Sequence, residues 1–205
     1  MVSKDNNGFS LIELIVVIAV MGIFLGVGLY TINYLFGGDA KQLTNKLDGE
    51  LNEVKTGSMS RFDETLTIEY CTSAEGKQYD SEGYYAVKEL WTIRNNMANP
   101  STSIRKSIGE ESTRMGSGRS VIKVQFEDGA IVTLGAEGNS GENTLMITFD
   151  RATGALNDAY IIPKGGDISS ATKTGNLSTI TITGGRKEYV VTFDVSTGRH
   201  TLSNS

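Results

Sequence analysis

The sequence predicts an α+β fold: a long N-terminal α-helix, membrane-spanning in its first half and amphipathic in its second, packed on an antiparallel β-sheet globular domain. Three observations predict it. The chain is only 39% hydrophobic, yet its apolar residues crowd into the stretch that ends at Phe36. Leu43, Leu47, Leu51 and Val54 then recur at helical spacing, an amphipathic stripe. After residue 60 the pattern changes to short alternating runs separated by glycine-rich turns, which reads as strands. The chain divides accordingly into a short polar leader (1–8), an apolar helix (9–36), its amphipathic continuation (37–57) and a β-rich domain (58–205).

The first element begins after the polar stretch Met1–Gly8, whose Lys4 and Asp5 cancel. From Leu14 to Tyr30 no side chain is charged or strongly polar. As a helix that run spans about 25 Å, close to the thickness of a hydrocarbon core. A cleaved secretory signal does not fit. The leader lacks a net basic character, the apolar run is longer than the usual core, and no Ala-x-Ala site follows it. Glu13 is the exception inside this segment. A carboxylate at the start of an apolar helix is costly, and intramembrane ionisable residues are functional by default. Gly22, Gly26 and Gly28 are expected to loosen the helix, and Gly22 and Gly26 form a GxxxG pair that permits close helix approach.

Gly37-Gly38-Asp39 reads as a break or a flexible point, with Asp39 a candidate N-cap of the amphipathic half and Gly57-Ser58 its end. Without a break, a single helix from Phe9 to about Lys55 would be about 70 Å long. In the β-rich part, Thr65–Cys71 alternates, and so does Val121–Glu127, with Ile122, Val124 and Phe126 on one face. Asp128-Gly129 signals a tight hairpin into Ala130–Leu134. Thr144–Phe149 and Leu177–Thr183 continue the series, while residues 94–120 read as a long loop with a short helix near Ser101–Ser107. Ile147–Gly154 is echoed by Val191–Gly198, each a strand ending in Asp-x-x-Thr-Gly. In such a turn glycine takes the positive-φ position and aspartate bonds forward to the turn amides.

Composition narrows the function. With 24 acids against 19 bases the net charge is −5, which gives no case for a nucleic-acid partner. A single cysteine, Cys71, excludes an intramolecular disulfide and a cysteine metal cage. A single histidine, His200, argues against histidine-based catalysis or a multi-histidine metal site. His200 is expected at the surface, Cys71 half-buried in a strand, and Tyr84, Tyr85 and Trp91 in the core or on an edge strand. Glu110-Glu111 and Asp80–Gly83 read as solvated acidic segments, and Gly116–Ser120 lacks the lysine of a phosphate loop. No active site and no cofactor are expected.

Gly8-Phe9-Ser10-Leu11-Ile12-Glu13, followed by an unbroken apolar helix, closely resembles the processing site of type IV pilins and of the pseudopilins of type II secretion. The resemblance implies a prepilin peptidase that cuts between Gly8 and Phe9 and N-methylates Phe9. It implies that Glu13 acts in assembly, pairing with the Phe9 amine of a neighbouring subunit. The implied partners are that peptidase, other pilin subunits in a homo- or heteropolymer, and an assembly platform in the cytoplasmic membrane. The implied life history is a single-pass membrane precursor that becomes a filament at the cell surface or in the periplasm. Many pilins carry a proline in the second half of the apolar segment; this sequence has none there. The paired C-terminal strands resemble the two-sheet domain of H-type minor pseudopilins. The competing reading is a monomeric signal-anchored surface binding protein, in which Glu13 is incidental.

Overall fold

The computed structural model describes residues 11–60, 63–71, 82–91, 107–135, 143–163, 171–173 and 175–204, with backbone alone for 27–36 and some strand ends. Among the described residues, one helix, α1 (Leu11–Ser60), is followed by eleven strands. Six make one sheet: β1 (Asp63–Cys71), β2 (Gly83–Trp91), β3 (Ser107–Gly116), β6 (Thr144–Phe149), β7 (Leu156–Ile162) and β8 (Thr172–Lys173), in the order β3-β2-β1-β6-β7-β8. The other five are β4 (Val121–Phe126), β5 (Ile131–Leu134), β9 (Leu177–Gly184), β10 (Lys187–Asp194) and β11 (Arg199–Asn204), in the order β11-β10-β9-β4-β5. The strand pairings described are antiparallel. The expected α+β architecture, a long helix on antiparallel sheet, is what the chain adopts.

The second half of α1 supplies the core. Ala40, Leu43, Leu47, Leu51 and Val54 are fully buried and pack with Leu66 and Ile68 of β1, Ile122 and Val124 of β4, and Ile180 and Ile182 of β9. Both sheets therefore share one core with the helix. Tyr84 ties them further, its hydroxyl donating to the Leu134 carbonyl at 2.9 Å. Alternation is clean in β4, where Ile122, Val124 and Phe126 are buried and Lys123 and Gln125 exposed. It is lost in β6, where Leu145 to Phe149 are all buried, because a strand covered on both faces no longer needs a polar one.

Three expectations about the helix need correction. α1 is unbroken through Gly22, Gly26, Gly37 and Gly38, so the glycines do not interrupt it. Asp39 is consequently not an N-cap. Each glycine costs the helix about 1 kcal/mol relative to alanine, and burial of the leucines that follow, about 1.5–3 kcal/mol each, offsets it. The helix also passes Gly57-Ser58 and ends at Ser60. Gly57 has another use: a side chain there would collide with the Glu64 carboxylate, which lies against the helix at this point.

Part of the expected long loop is a strand. Residues 107–116 form β3, paired to β2 from Ser107↔Trp91 to Gly116↔Tyr84. Its sequence, SIGEESTRMG, hides it, because an edge strand can leave Glu110, Glu111, Ser112 and Arg114 in solvent, with Met115 and Gly116 the buried ones among its described side chains. The suggested helix near Ser101 falls on residues outside the described ones up to Lys106, and Ser107 already belongs to β3.

The Asp128-Gly129 hairpin forms as read. Gly129 takes φ 87°, its amide donates to Phe126 at 3.0 Å, and Asp128 accepts from the Ala130 amide at 2.9 Å. The two Asp-x-x-Thr-Gly turns also form. Asp150 accepts from the amides of Ala152 and Thr153 at 3.0 and 2.9 Å, and Asp194 from the Ser196 amide at 3.1 Å. Gly154 and Gly198 adopt φ of 67° and 60°. The turns also stack. A side chain on Gly198 would strike the Gly154 carbonyl, and the Leu156 amide donates to Val195 at 3.1 Å. Lys55 of α1 caps the stack by donating to the Thr197 carbonyl at 2.9 Å.

Candidate functional site

The first half of α1 is the feature that the rest of the molecule leaves uncovered. Leu11, Ile12, Leu14, Ile15, Val16, Val17, Ile18 and onward to Leu25 are exposed on every side of the helix, between 44% and 78% for the large ones. A side chain added at Gly22 or Gly26 would meet nothing within 4 Å, so the close-approach face has no partner inside this chain among the described residues. Glu13 stands exposed in the first turn of α1. Gly8 and Phe9 lie outside the described residues. Among the described residues no helix is long and apolar enough to cross a membrane; the described side chains of the apolar run stop at Gly26, ahead of the stretch 27–36.

Besides Lys55 at the stacked turns, the globular domain fixes the other end of this helix through polar attachments at Asp39, Lys88 and His200 that periodicity did not reveal. Asp39 accepts from the Ser117 hydroxyl at 2.8 Å, from its amide at 3.4 Å and from the Ser120 hydroxyl at 3.1 Å. It thereby holds the β3–β4 turn against α1. Lys46 donates to the Arg114 carbonyl at 2.8 Å beside it. Residue type was the only sequence signal here: serines in a turn, an aspartate on a helix.

Lys88 is the second attachment. It projects from β2 on the face of Tyr84 and Ala86, is 6% exposed, and reaches Glu53 at 2.9 Å, Glu50 at 3.3 Å and Glu111 at 3.5 Å. Burial alone would push the Lys88 ammonium toward losing its proton. Its hydrogen bonds and charge contacts with Glu53 and Glu50 outweigh that and raise it above the usual lysine value. Glu64 borders the same cluster. Burial, then the neighbouring Glu53 charge, raises its carboxyl above the usual range against the opposing pull of Lys88. A lysine at an inward strand position, with Glu50 and Glu53 three apart on the facing helix, was the available signal.

His200 is the third. It was expected at the surface, but its side chain is 4% exposed and its Nε2 lies 2.8 Å from Asp48 Oδ1. The reason is register: His200 sits opposite Phe193 on β10, on the face that turns toward α1, and its ring lies 5.9 Å from the phenyl ring. Cys71 is buried rather than half-buried. Tyr84 and Tyr85 are core residues as expected, and the Trp91 side chain lies outside the described ones. Of the acidic turn, Glu82 accepts a hydrogen bond from Tyr70. Burial, with that bond and the Glu82 charge, pushes the phenol up to about 12. Glu110 and Glu111 are exposed as expected, though Glu111 also faces Lys88. Each of these attachments holds α1 or a turn to the domain.

Among the described residues, the first part of α1 is therefore apolar, uncovered and marked by a carboxylate near its start. No curated protein and no solved structure matches the chain. Residues 3–29 match the family model described as the prokaryotic N-terminal methylation motif. The chain therefore carries the prepilin motif of the type IV pilins and pseudopilins.

Proposed function

We propose that the chain is a structural subunit of a type IV pilus or of a type II secretion or competence pseudopilus, major or minor. It starts as a single-pass precursor in the cytoplasmic membrane with residues 1–8 as leader and 9–36 as the membrane and assembly helix. Residues 37–57 continue that helix onto the β-rich domain, 58–205. Prepilin peptidase cuts between Gly8 and Phe9 and N-methylates Phe9. The mature subunit then joins other pilin subunits through α1, driven by an assembly platform in the same membrane, and needs no cofactor or catalytic residue.

One observation carries this reading: the methylation motif opens a continuous helix whose first half is apolar and uncovered. Membrane insertion is supported by the uncharged sequence from Leu14 to Tyr30 and by the unbroken helical backbone through 27–36. Glu13 gives the polymer a register. A Phe9 amine of a neighbour about 4 Å away would attract it by about 4 kcal/mol at an effective dielectric of 20. A subunit out of register would bury both charges unpaired.

Two measurements test it. Intact mass of the protein from its native host is expected to begin at a methylated Phe9. A mass beginning at Met1 would make the chain a signal-anchored surface protein instead. Glu13→Ala is expected to be inserted and cut normally yet to be absent from sheared filaments, or from co-purification with the major subunit if this one is minor. Normal incorporation of Glu13→Ala would remove the carboxylate from assembly.

A further inference from the structure

The net charge of the chain is negative, but its distribution follows the helix axis. Gly37 of α1 lies against the Lys187 side chain, so that a side chain added there would meet Lys187 Cδ at 3.0 Å. Lys187 opens β10 beside Gly185 and Arg186 in the β9–β10 turn. The β3–β4 turn, held to α1 by Asp39, brings Arg119 to the same pole. Thr183 pairs with Val121, so both turns lie at one end of the five-stranded sheet. Lys41 stands on α1 one turn beyond Gly37. All four bases are exposed. Of the described carboxylates near them, Asp39 is engaged by the serines, Glu82 accepts from Tyr70 beside Gly118, and Glu188 falls on the strand face opposite to Lys187. The turns at the opposite end carry Glu127, Asp128, Asp150 and Asp194 against Arg151, Arg199 and the Lys55 of α1 that caps them.

The basic pole is the one from which the apolar half of α1 projects. Gly37 lies about 10 Å of helix beyond Tyr30, and the headgroup layer on each side of a hydrocarbon core is about 5–8 Å thick. We propose that Lys41, Arg119, Arg186 and Lys187 form a basic collar that seats the unassembled subunit on the anionic headgroups of the bilayer holding its helix. This rests on the membrane-precursor reading above. The collar would orient the domain upright, keep the acidic pole away from the surface, and release when the subunit leaves the membrane for the filament. Each basic side chain at an anionic leaflet shifts the docked-to-undocked ratio by about fivefold, so these bases together make docking the dominant state.

The test uses the full chain in lipid nanodiscs, either purely phosphatidylcholine or phosphatidylcholine mixed with phosphatidylglycerol, read by amide hydrogen exchange. In the anionic discs the turns 117–120 and 184–187 are expected to exchange about tenfold or more slowly than in the zwitterionic ones. The 127–130 turn is expected to be unchanged. The protection should vanish at 1 M salt, where the Debye length is about 3 Å, and in the combined variant Arg119→Gln, Arg186→Gln, Lys187→Gln. These positions are exposed, and an unchanged 127–130 turn certifies the fold of the variant. Incorporation with equal exchange in both lipids, or protection that survives the triple substitution, would overturn the collar alone. Failure of the chain to enter discs at all would overturn the membrane reading as well.

Discussion

Leu14, Ile18 and Leu25 lie on the same continuous helix as Leu43, Leu47 and Leu51, yet the first three are 56%, 61% and 68% exposed and the last three are 0% exposed. Residue type does not distinguish the two halves; surroundings do. In the second half the apolar residues form a stripe, and polar neighbours such as Gln42, Asn45 and Asn52 occupy the outer side. Two sheets are enough to bury such a stripe. In the first half the apolar residues go all the way round, so no single domain surface could cover them. Burying a leucine is worth about 1.5–3 kcal/mol. The described part of the first half, 11–26, therefore leaves a large apolar area exposed that the domain does not bury.

Several substitutions would break or sharpen this contrast. The largest effect is expected at Lys88, which holds the buried half through Glu50 and Glu53. Lys88→Met leaves Glu50 buried without its counter-charge, and loss of one partner of a buried pair costs about 3–5 kcal/mol. Adding Glu50→Leu should recover most of the loss, since an apolar pair avoids the desolvation penalty. Urea unfolding of the full chain in detergent, followed by near-ultraviolet circular dichroism, measures both. A double variant as unstable as the single one would show that packing, not charge pairing, dominates there.

Next comes a matched pair on the two halves. Leu47→Ala should destabilise the domain by about 2–5 kcal/mol. Ile18→Ala should change it by less than about 0.5 kcal/mol and act instead on filament or bilayer association. Equal losses of domain stability would mean that the two halves are not independent.

Much of the contrast was legible beforehand. The stripe from Leu43 to Val54 is visible because helix periodicity is local, and the Asp128-Gly129 hairpin because turn chemistry is local. The same holds for the two Asp-x-x-Thr-Gly turns, but their stacking was not legible, since it depends on how two sheets meet. Asp39 looked like a cap for the same reason. Its partner Ser117 is 78 residues away, and nothing near Asp39 names it. His200 looked superficial because Asp48, 152 residues earlier, covers it. β3 escaped because an edge strand takes its stability from backbone pairing with β2, which leaves little trace in side-chain pattern. The N-terminal methylation motif was legible as a pattern of residues and the family match spans 3–29, while Gly8 and Phe9 themselves lie outside the described residues.

Asp39→Ala should have a smaller effect than either core change, about 1–3 kcal/mol for the unsatisfied serine groups it leaves. Its signature is positional. Exchange at 117–120 should rise while the Asp128 hairpin stays unchanged. Uniform loosening of the whole domain would show that Asp39 stabilises the helix itself rather than the attachment of the turn.

The smallest effect is expected from Glu64, and it sharpens the comparison through pH. Its carboxyl is held above the usual range by burial and then by Glu53, with Lys88 opposing. The folded state therefore binds that proton more tightly than the unfolded chain does. The associated stability is fully present below the unfolded value and is lost as pH rises through the raised folded value. Ionised Glu64 is thus a modest burden on the domain at neutral pH. Glu64→Gln removes the titration but keeps the shape, so it should flatten this part of the stability profile and leave the variant slightly more stable than the native chain at pH 7. The exposed half of α1 carries no comparable buried carboxyl among the described residues, so detergent or lipid binding by residues 11–26 should not change between native chain and variant across the same pH range. A Glu64→Gln domain that is less stable at pH 7 would mean that attraction to Lys88 outweighs the cost of burial and the repulsion from Glu53.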